Sequence, residues 1–263
     1  MRRRVIAATL LIGIVLVALG APWLATHDPR HAEPTDQLQA PSPDHLFGTD
    51  LLGRDVFSRV VYGGRRTLGV ALLTMLITLV PGVTIGLIAG YAGRWVDGVL
   101  MALMDALLAI PSLLLALALI AVFDPGLLQI ALAVGIAAIP PYARVTRATV
   151  LDARTRAFVE AARSLGTRPA GILLRHILPT IAPTLFAFAG VSLSWAILNG
   201  TALLFLGYGG DISAPDWGIM LADGRNAFRT APWIAFAPGV ALSMTVFAIN
   251  LLASGFTRPA NRR

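Results

Sequence analysis

Long apolar stretches without charge alternate with short polar, arginine-rich segments along the chain. Five runs lack charged residues over about 18 positions or more, and a sixth contains one acid, Asp105. A helix of that length crosses the apolar part of a bilayer. The predicted spans are Val5–Thr26, Thr67–Gly93, Gly98–Phe123, Pro125–Ala143, Ile177–Gly210 and Thr230–Thr257. The pattern therefore predicts an all-α integral membrane protein with six transmembrane helices.

Composition agrees with this interpretation, because 56% of residues are hydrophobic and only 13% are charged. Arg2, Arg3 and Arg4 precede the first apolar run, as they would in a signal peptide. That run is longer than a signal peptide needs and lacks a clear cleavage site of small residues, so we expect an uncleaved span. Cysteine is absent, which excludes disulfides and thiolate metal sites.

The distribution of arginine predicts the orientation. With six crossings and a cytoplasmic N-terminus, the inner segments contain 14 arginines and three acids, whereas the outer segments contain seven arginines and ten acids. Cytoplasmic loops carry such an excess of positive charge. Both termini are therefore expected to be cytoplasmic, and residues 258–263 form a cytoplasmic tail. The excess of arginine over acidic residues is explained by membrane orientation and gives no reason to expect nucleic-acid binding.

The predicted outer segment between the first two spans has two parts. Residues 27–43 are polar and proline-rich, as in a loop. Asp50–Tyr62 has apolar residues at helical spacing, which predicts an amphipathic helix at the membrane interface or on the subunit surface. We divide the chain into residues 1–66, containing the first helix and this outer segment, and residues 67–257, containing a five-helix core.

Two features inside the spans have more than one interpretation. Asp105 needs a partner inside the bilayer, and Arg144 or Arg147 is predicted to supply it. A structural ion pair and a proton relay both remain open, although a relay needs further intramembrane acids than the sequence offers. Gly82, Gly86 and Gly90 are spaced for close helix packing, either within the chain or at a subunit interface.

The segment between the fourth and fifth spans is rich in arginine. Pro140 and Pro141 predict an interruption of the fourth span. Residues 155–166 read as a helix ended by Gly166, Pro169 begins a second short helix to His176, and Pro179 marks the return to the membrane. Four apolar side chains of this compact knob are predicted to fill a groove on a partner. They are Phe158, Val159, Ala162 and Leu165.

Three blocks in family order resemble the membrane subunit of a type I ABC importer, in the dipeptide/oligopeptide/nickel permease group and of its second-permease type. The blocks are Phe47–Arg59, containing Gly-Thr-Asp and Gly-Arg-Asp, then Glu160–Pro179, and finally Leu204–Gly207 with Pro215–Leu221. Two positions depart from the family's sequence pattern. Asn199–Ala202 lacks the acidic residue that the family usually has there, and Ala253-Ser254 replaces a small residue followed by an acidic one. The first departure puts the family's translocation path in doubt for this chain.

The resemblance implies a bacterial inner-membrane protein with a cytoplasmic coupling helix between helices 4 and 5. By resemblance, Glu160, Ala161, Ala162 and Gly166 belong to the coupling helix that enters a cleft of the ATPase. The implied partners are a second homologous permease, two ATPase subunits, an external binding protein and membrane lipid. ATP and magnesium are implied on the ATPase subunits and no cofactor on this chain, which contains no phosphate-binding P-loop motif.

Substrate and rival functions are not settled by the residues. Peptides, nickel and other small solutes are imported by permeases of this architecture, and we expect di- or oligopeptides by analogy alone. An ion-coupled carrier remains an alternative, while the sequence motifs of hydrolases are missing. His27 and His31 have a spacing that would allow a shared metal, but they lie in a proline-broken loop, which favours a solvated loop.

Overall fold

The computed structural model describes residues 2–254, with side chains from Arg4 onward. Within them the fold is all helical, and the only β pairing is an isolated bridge between Thr49 and Asp55. The predicted tail, residues 258–263, and the end of the sixth predicted span lie outside the described residues. The helices are α1 (Arg2–Leu19), α2 (Ala21–Leu24), α3 (Val56–Ala92), α4 (Arg94–Leu108), α5 (Ser112–Ile120), α6 (Leu127–Ala153), α7 (Ala157–Ser164), α8 (Pro169–Gly171), α9 (Leu178–Phe205), α10 (Trp217–Ala227) and α11 (Trp233–Ala253).

Four helical segments of the described chain are long and apolar enough to cross a membrane: α3, α6, the continuous helix from Pro169 to Phe205, and α11. Helices α4 and α5 would make a fifth span together, but they meet at 85°. Helix α1 is apolar and shorter than the four spanning segments. The structure therefore supports four or five spans and does not confirm the predicted count of six.

The break between α4 and α5 has a local cause in Pro111. Proline has no amide hydrogen to continue the ladder of α4, and it disfavours helical geometry at Ile110. Helix α4 ends at Leu108, and Pro111 (φ −51°, ψ 129°) caps the start of α5. The third predicted span is thus two helices rather than one straight crossing.

Helix α3 is the centre of the bundle, since it packs against α1, α4, α6 and α9. Its glycines meet α6, because a Cβ on Gly82 would lie 2.9 Å from the Tyr142 Cβ, and one on Gly90 would lie 2.7 Å from the Val150 Cβ. Gly86 faces Ala143 and Thr146 in the same way. The glycine ladder therefore serves helix packing within the chain. The matching order of these contacts also shows that α3 and α6 run parallel.

This parallel packing defines two ends of the molecule. Helices α3 and α6 begin at the loop end, which also contains residues 25–55 and the segment between α9 and α10. They finish at the α7 end, where α7 and the π-helical turn Ile172–Ile177 pack together.

Prolines within the helices interrupt them less than predicted. Helix α6 continues through Pro140 and Pro141 to Ala153, because the next turns are held against α3 by Tyr142 and Val150. Pro179 likewise lies inside a helix that runs unbroken from Pro169 to Phe205. The π-helical turn before it widens the backbone, as the bond from Leu178 N to the Leu173 carbonyl shows, and leaves room for the proline ring.

The predicted amphipathic helix over Asp50–Tyr62 does not exist as a separate element. Residues 50–55 form a turn, and Val56 begins α3, which continues to Ala92 through residues 66 and 67. The charged side chains of this segment do not form a solvated face. Arg54 is 4% exposed and Arg59 fully buried, because both bind acids inside the loop end.

Candidate functional site

Helix α7 ends in the way its sequence predicts. Gly166 adopts φ +76°, the left-handed conformation that residues with a Cβ rarely adopt. The Gly166 amide donates to the Arg163 carbonyl at 3.0 Å, and the Thr167 amide donates to the Ala162 carbonyl at 3.1 Å. This pair of bonds is a Schellman motif, which closes the helix and turns the chain toward Pro169.

Two of the four apolar side chains predicted for a partner groove instead face the body of the protein. Val159 is fully buried and Ala162 is 5% exposed, in a cluster with Ala153, Ile172 and Ile177. They fix α7 to the end of α6 and to the π-helical turn. The prediction that Val159 and Ala162 offer a contact surface is therefore wrong, because helical spacing alone does not tell an inward face from an outward one.

The opposite face of α7 is open. Leu165 is 85% exposed and Phe158 is 37% exposed, and Glu160 and Ala161 are exposed as well. Gly166 has no neighbouring atom within 4 Å of a Cβ position. We call the exposed residues Phe158, Glu160, Ala161, Leu165 and Gly166 the α7 surface. Pro179 is also exposed, but it belongs to the following helix.

Arginines flank the α7 surface and some of them anchor it. Arg154 Nη1 donates to the Gly90 carbonyl at 2.9 Å, which ties the end of α6 to the end of α3. Arg156 Nη2 pairs with Asp152 Oδ2 at 2.6 Å. Arg163 and Arg168 are exposed. The α7 end thus combines a rigidly held short helix, an apolar tip and a surplus of positive charge.

Asp105 Oδ1 forms an ion pair with Nη2 of Arg144, one of the two partners considered from the sequence. Arg147, the other candidate, pairs with Asp97, with 2.6 Å between Arg147 Nη2 and Asp97 Oδ2. The Asp105 pair is about half exposed on the protein alone, and the Asp97 pair is more enclosed. Both pairs join α4 to α6, which favours a structural role over a proton relay.

At the loop end, sequence reasoning missed a buried ionic cluster. Arg54 Nε binds Asp50 Oδ2 at 2.6 Å, and Arg54 Nη2 binds Asp223 Oδ2 at 3.0 Å. Arg59 Nε lies 3.5 Å from Asp50 Oδ2, and Arg59 Nη1 donates to the Pro29 carbonyl at 3.0 Å. The cluster joins the loop, the start of α3 and α10. The sequence pattern predicted an amphipathic helix over these residues, and such a pattern does not indicate that its charged residues are buried.

A second link at the loop end involves Asp216, which caps α10. Its carboxylate accepts from the Gly218 amide at 2.8 Å and from Thr67 Oγ1 at 3.1 Å. Burial raises the pKa of the Asp216 carboxyl group, although the two hydrogen bonds oppose the shift. Trp217 Nε1 donates to the Val60 carbonyl at 2.8 Å. Val56 of the first block and Met220 of the third block also lie in one buried cluster, so these two blocks of the resemblance pack together.

Comparison with known proteins indicates the same family as the sequence motifs. Residues 82–263 match the family described as binding-protein-dependent transport system inner membrane component. The dipeptide transport system permease protein of Alkalihalophilus pseudofirmus is 37% identical over 251 residues, covering 95% of this chain and 83% of the relative. The di/tripeptide transport system permease protein of Pseudomonas aeruginosa is 39% identical over 248 residues, covering 92% of this chain and 82% of that protein.

A glutathione transport system permease protein of Pectobacterium atrosepticum is 36% identical over 258 residues, covering 97% of this chain and 86% of that protein. Among solved structures, the inward-facing MetNI methionine ABC transporter aligns with a TM-score of 0.61 and 19% identity, over 76% of this chain and 97% of that chain. This last likeness concerns the fold. The chain belongs to the family of binding-protein-dependent transport system inner membrane components, the permease subunits of ABC importers.

Proposed function

We propose that this permease subunit imports di- or oligopeptides delivered by an external binding protein, and that the α7 surface is where it engages its ATPase. The substrate proposal rests on the relatives, whose names specify dipeptide, di/tripeptide and glutathione transport. The chain would form half of the pathway beside a second, homologous permease. Two ATPase subunits would bind ATP and magnesium, and this chain would need no cofactor of its own.

The observation that carries the coupling proposal is the separation of the two faces of α7. Val159 and Ala162 fix the helix to the core, while Leu165 is 85% exposed at its tip. An apolar side chain held out by a rigid short helix is suited to a groove on a partner. Motion of that groove would be transmitted to the bundle, because α7 is attached to α6 and, through the π-helical turn, to α9.

The same proposal sets the orientation. The α7 end would be cytoplasmic, since Arg94, Arg144, Arg147 and the arginines of the α7 segment lie there. The loop end would face the binding protein. Six crossings would then require α1 to span the membrane and the bent pair α4–α5 to serve as one crossing. Both termini would be cytoplasmic in a bacterial inner membrane.

The test is Leu165→Glu in the complete transporter. This side chain is exposed, so the substitution should leave folding and insertion unchanged. Burying a leucine contributes about 1.5–3 kcal/mol, so its loss should weaken ATPase binding about tenfold or more. We expect fewer ATPase subunits to co-purify with the variant and peptide-stimulated ATP hydrolysis to fall in proteoliposomes.

Ile212→Glu is the matched control, because Ile212 is 68% exposed at the opposite end of the molecule. It should retain the ATPase subunits. Normal ATPase recovery and normal stimulated hydrolysis with Leu165→Glu would refute the role of the α7 surface. Stimulation by a non-peptide solute, with no response to peptides, would refute the substrate proposal independently.

A further inference from the structure

Two histidines and an aspartate from three separate parts of the chain converge at the loop end. His27 follows α2, His45 lies in the loop, and Asp55 caps the start of α3. Their candidate ligand atoms all lie within 4.8 Å of one another. His45 Nδ1 is 2.9 Å from Asp55 Oδ1, and His27 Nδ1 is 3.9 Å from the same oxygen. The pairing suggested by spacing, His27 with His31, is not the one that the fold assembles.

The carboxylate of Asp55 is oriented by contacts that leave one oxygen for this cluster. Its Oδ2 accepts from the Ser58 amide at 2.8 Å, which is the helix cap. Its Oδ1 is therefore directed to the histidines. The His27 amide donates to Ser58 Oγ at 3.0 Å, which fixes the first histidine beside the cap. Hydrogen bonds of this kind around a ligand set hold the ligands in place for an ion.

The surroundings also suit a cation. The three residues open into a pocket of about 270 Å³. Its wall adds three further acids, Asp28, Glu33 and Asp36. The exposure of the ligand side chains falls from 44% at His27 to 12% at His45 and 1% at Asp55, so the site opens toward solvent on one side. Solvent could therefore supply a further ligand.

From this geometry we propose that His27, His45 and Asp55 bind a divalent transition-metal ion of the zinc class. Two imidazole nitrogens and one carboxylate oxygen are ligands that zinc takes at about 2.0–2.2 Å, with a fourth position open to water. A tetrahedron of that size separates its ligand atoms by about 3.3 Å. The observed 2.9 and 3.9 Å lie on either side of that value, and the separation between the two histidines is within 4.8 Å, so rotation of the two rings would bring the three ligands to one ion.

A bound ion would connect the end of α2, the loop and the start of α3. The same loop contains Asp50 and Arg54 of the buried ionic cluster. The ion would therefore brace the loop end at its solvent side while the ionic cluster holds it from within. The role inferred for the metal is structural, and it does not depend on which solute the permease carries.

The experiment uses the whole transporter in detergent, freed of metal by chelation and dialysis. Cobalt is added first, because Co²⁺ in a tetrahedral N/O site absorbs visible light and so reports its coordination. Zinc is then titrated calorimetrically and as a competitor of cobalt. We expect one zinc ion per copy of this chain with a Kd below about 10 μM.

The variant is His45→Asn, whose amide can still donate to Asp55 and so preserve the loop. It should weaken zinc binding about tenfold or more and remove the cobalt absorption assigned to this chain. His176→Asn is the control, because His176 lies at the α7 end, and it should bind like the unmodified transporter. If His45→Asn does not assemble, His27→Asn replaces it, since that side chain is largely at the surface.

Three outcomes would overturn the inference. The first is zinc binding that does not saturate below about 100 μM, which would mark an adventitious surface ion. The second is identical binding by His45→Asn and the unmodified transporter. The third is an equal loss of binding in His176→Asn, which would place the metal elsewhere. In each case the cluster would be a hydrogen-bonded His45–Asp55 pair without a metal.

Discussion

Replacing Gly86 with alanine should force α3 and α6 apart. A Cβ at Gly86 would lie 2.6 Å from the Ala143 carbonyl oxygen and would also overlap the side chain of Thr146. Ordinary contact begins at about 3.4 Å and the Thr146 Cβ would lie closer still, so the helices would have to separate by about 1 Å at this point. The obstacle includes backbone, which cannot rotate away as a flexible side chain could.

The size of the effect follows from the cost of overpacking. Forcing an extra methyl group into a close-packed interface costs about 1–3 kcal/mol. For a chain of about this length, each kcal/mol lowers the melting temperature by about 2–4 °C. We therefore expect Gly86→Ala to melt about 2–12 °C lower than the unmodified protein. The larger values apply if α6, carrying Pro140 and Pro141, does not shift to relieve the overlap.

The assay is thermal unfolding in detergent, followed by the fluorescence of the five tryptophans. Gly69→Ala is the matched control, because Gly69 lies in the same helix and no atom comes within 4 Å of its Cβ position. The control removes a glycine without crowding, so its melting temperature should be unchanged or higher. Equal melting temperatures for the two variants would refute the packing argument, since the substitution is the same and only the neighbours differ.

Two further predictions concern the loop end. Arg59→Met should destabilise the protein by about 3 kcal/mol, because it removes a fully buried guanidinium that contacts Asp50 and Pro29. Arg30→Met, at an exposed ion pair, is the control and should change stability by less than about 1 kcal/mol. Equal chemical-denaturation midpoints for the two variants would contradict this prediction. Burial raises the pKa of Asp216, so the folded protein retains a proton that the unfolded chain loses, and stability should fall as pH rises above about 4 toward the raised value. Asp216→Asn should flatten the melting-temperature profile above pH about 4, and an unchanged slope would count against the shift.

Signals that depend on neighbours along the chain could be predicted. Gly166 closes α7 through a left-handed turn because the motif involves only residues within one helical turn of it. A charged partner for Asp105 could be expected from the sequence, because Asp105 is an acid inside an apolar run, but the choice of Arg144 over Arg147 came from the packing of α4 against α6. Apolar runs predicted the helical segments for the same reason, since the requirement for about 20 apolar residues is a local one.

Signals that depend on distant neighbours were misread. Asp50, Arg54 and Arg59 have the spacing of a solvated helix face, yet they are buried because α10 supplies Asp223 from elsewhere in the chain. Val159 has the spacing of a contact residue, yet it faces the core. Each of these depended on what packs against the residue, which periodicity does not specify.

The sequence by itself determined that this protein is helical, lies in a membrane and belongs with importer permeases, because hydropathy, charge bias and short motifs are properties of the chain alone. The tertiary structure decided which faces are free. It assigned the glycine ladder to packing between α3 and α6, separated the α7 surface from its buried side, and placed His27, His45 and Asp55 around one point. The physical reason is that these outcomes depend on contacts between segments far apart in sequence, which exist only after the helices have packed.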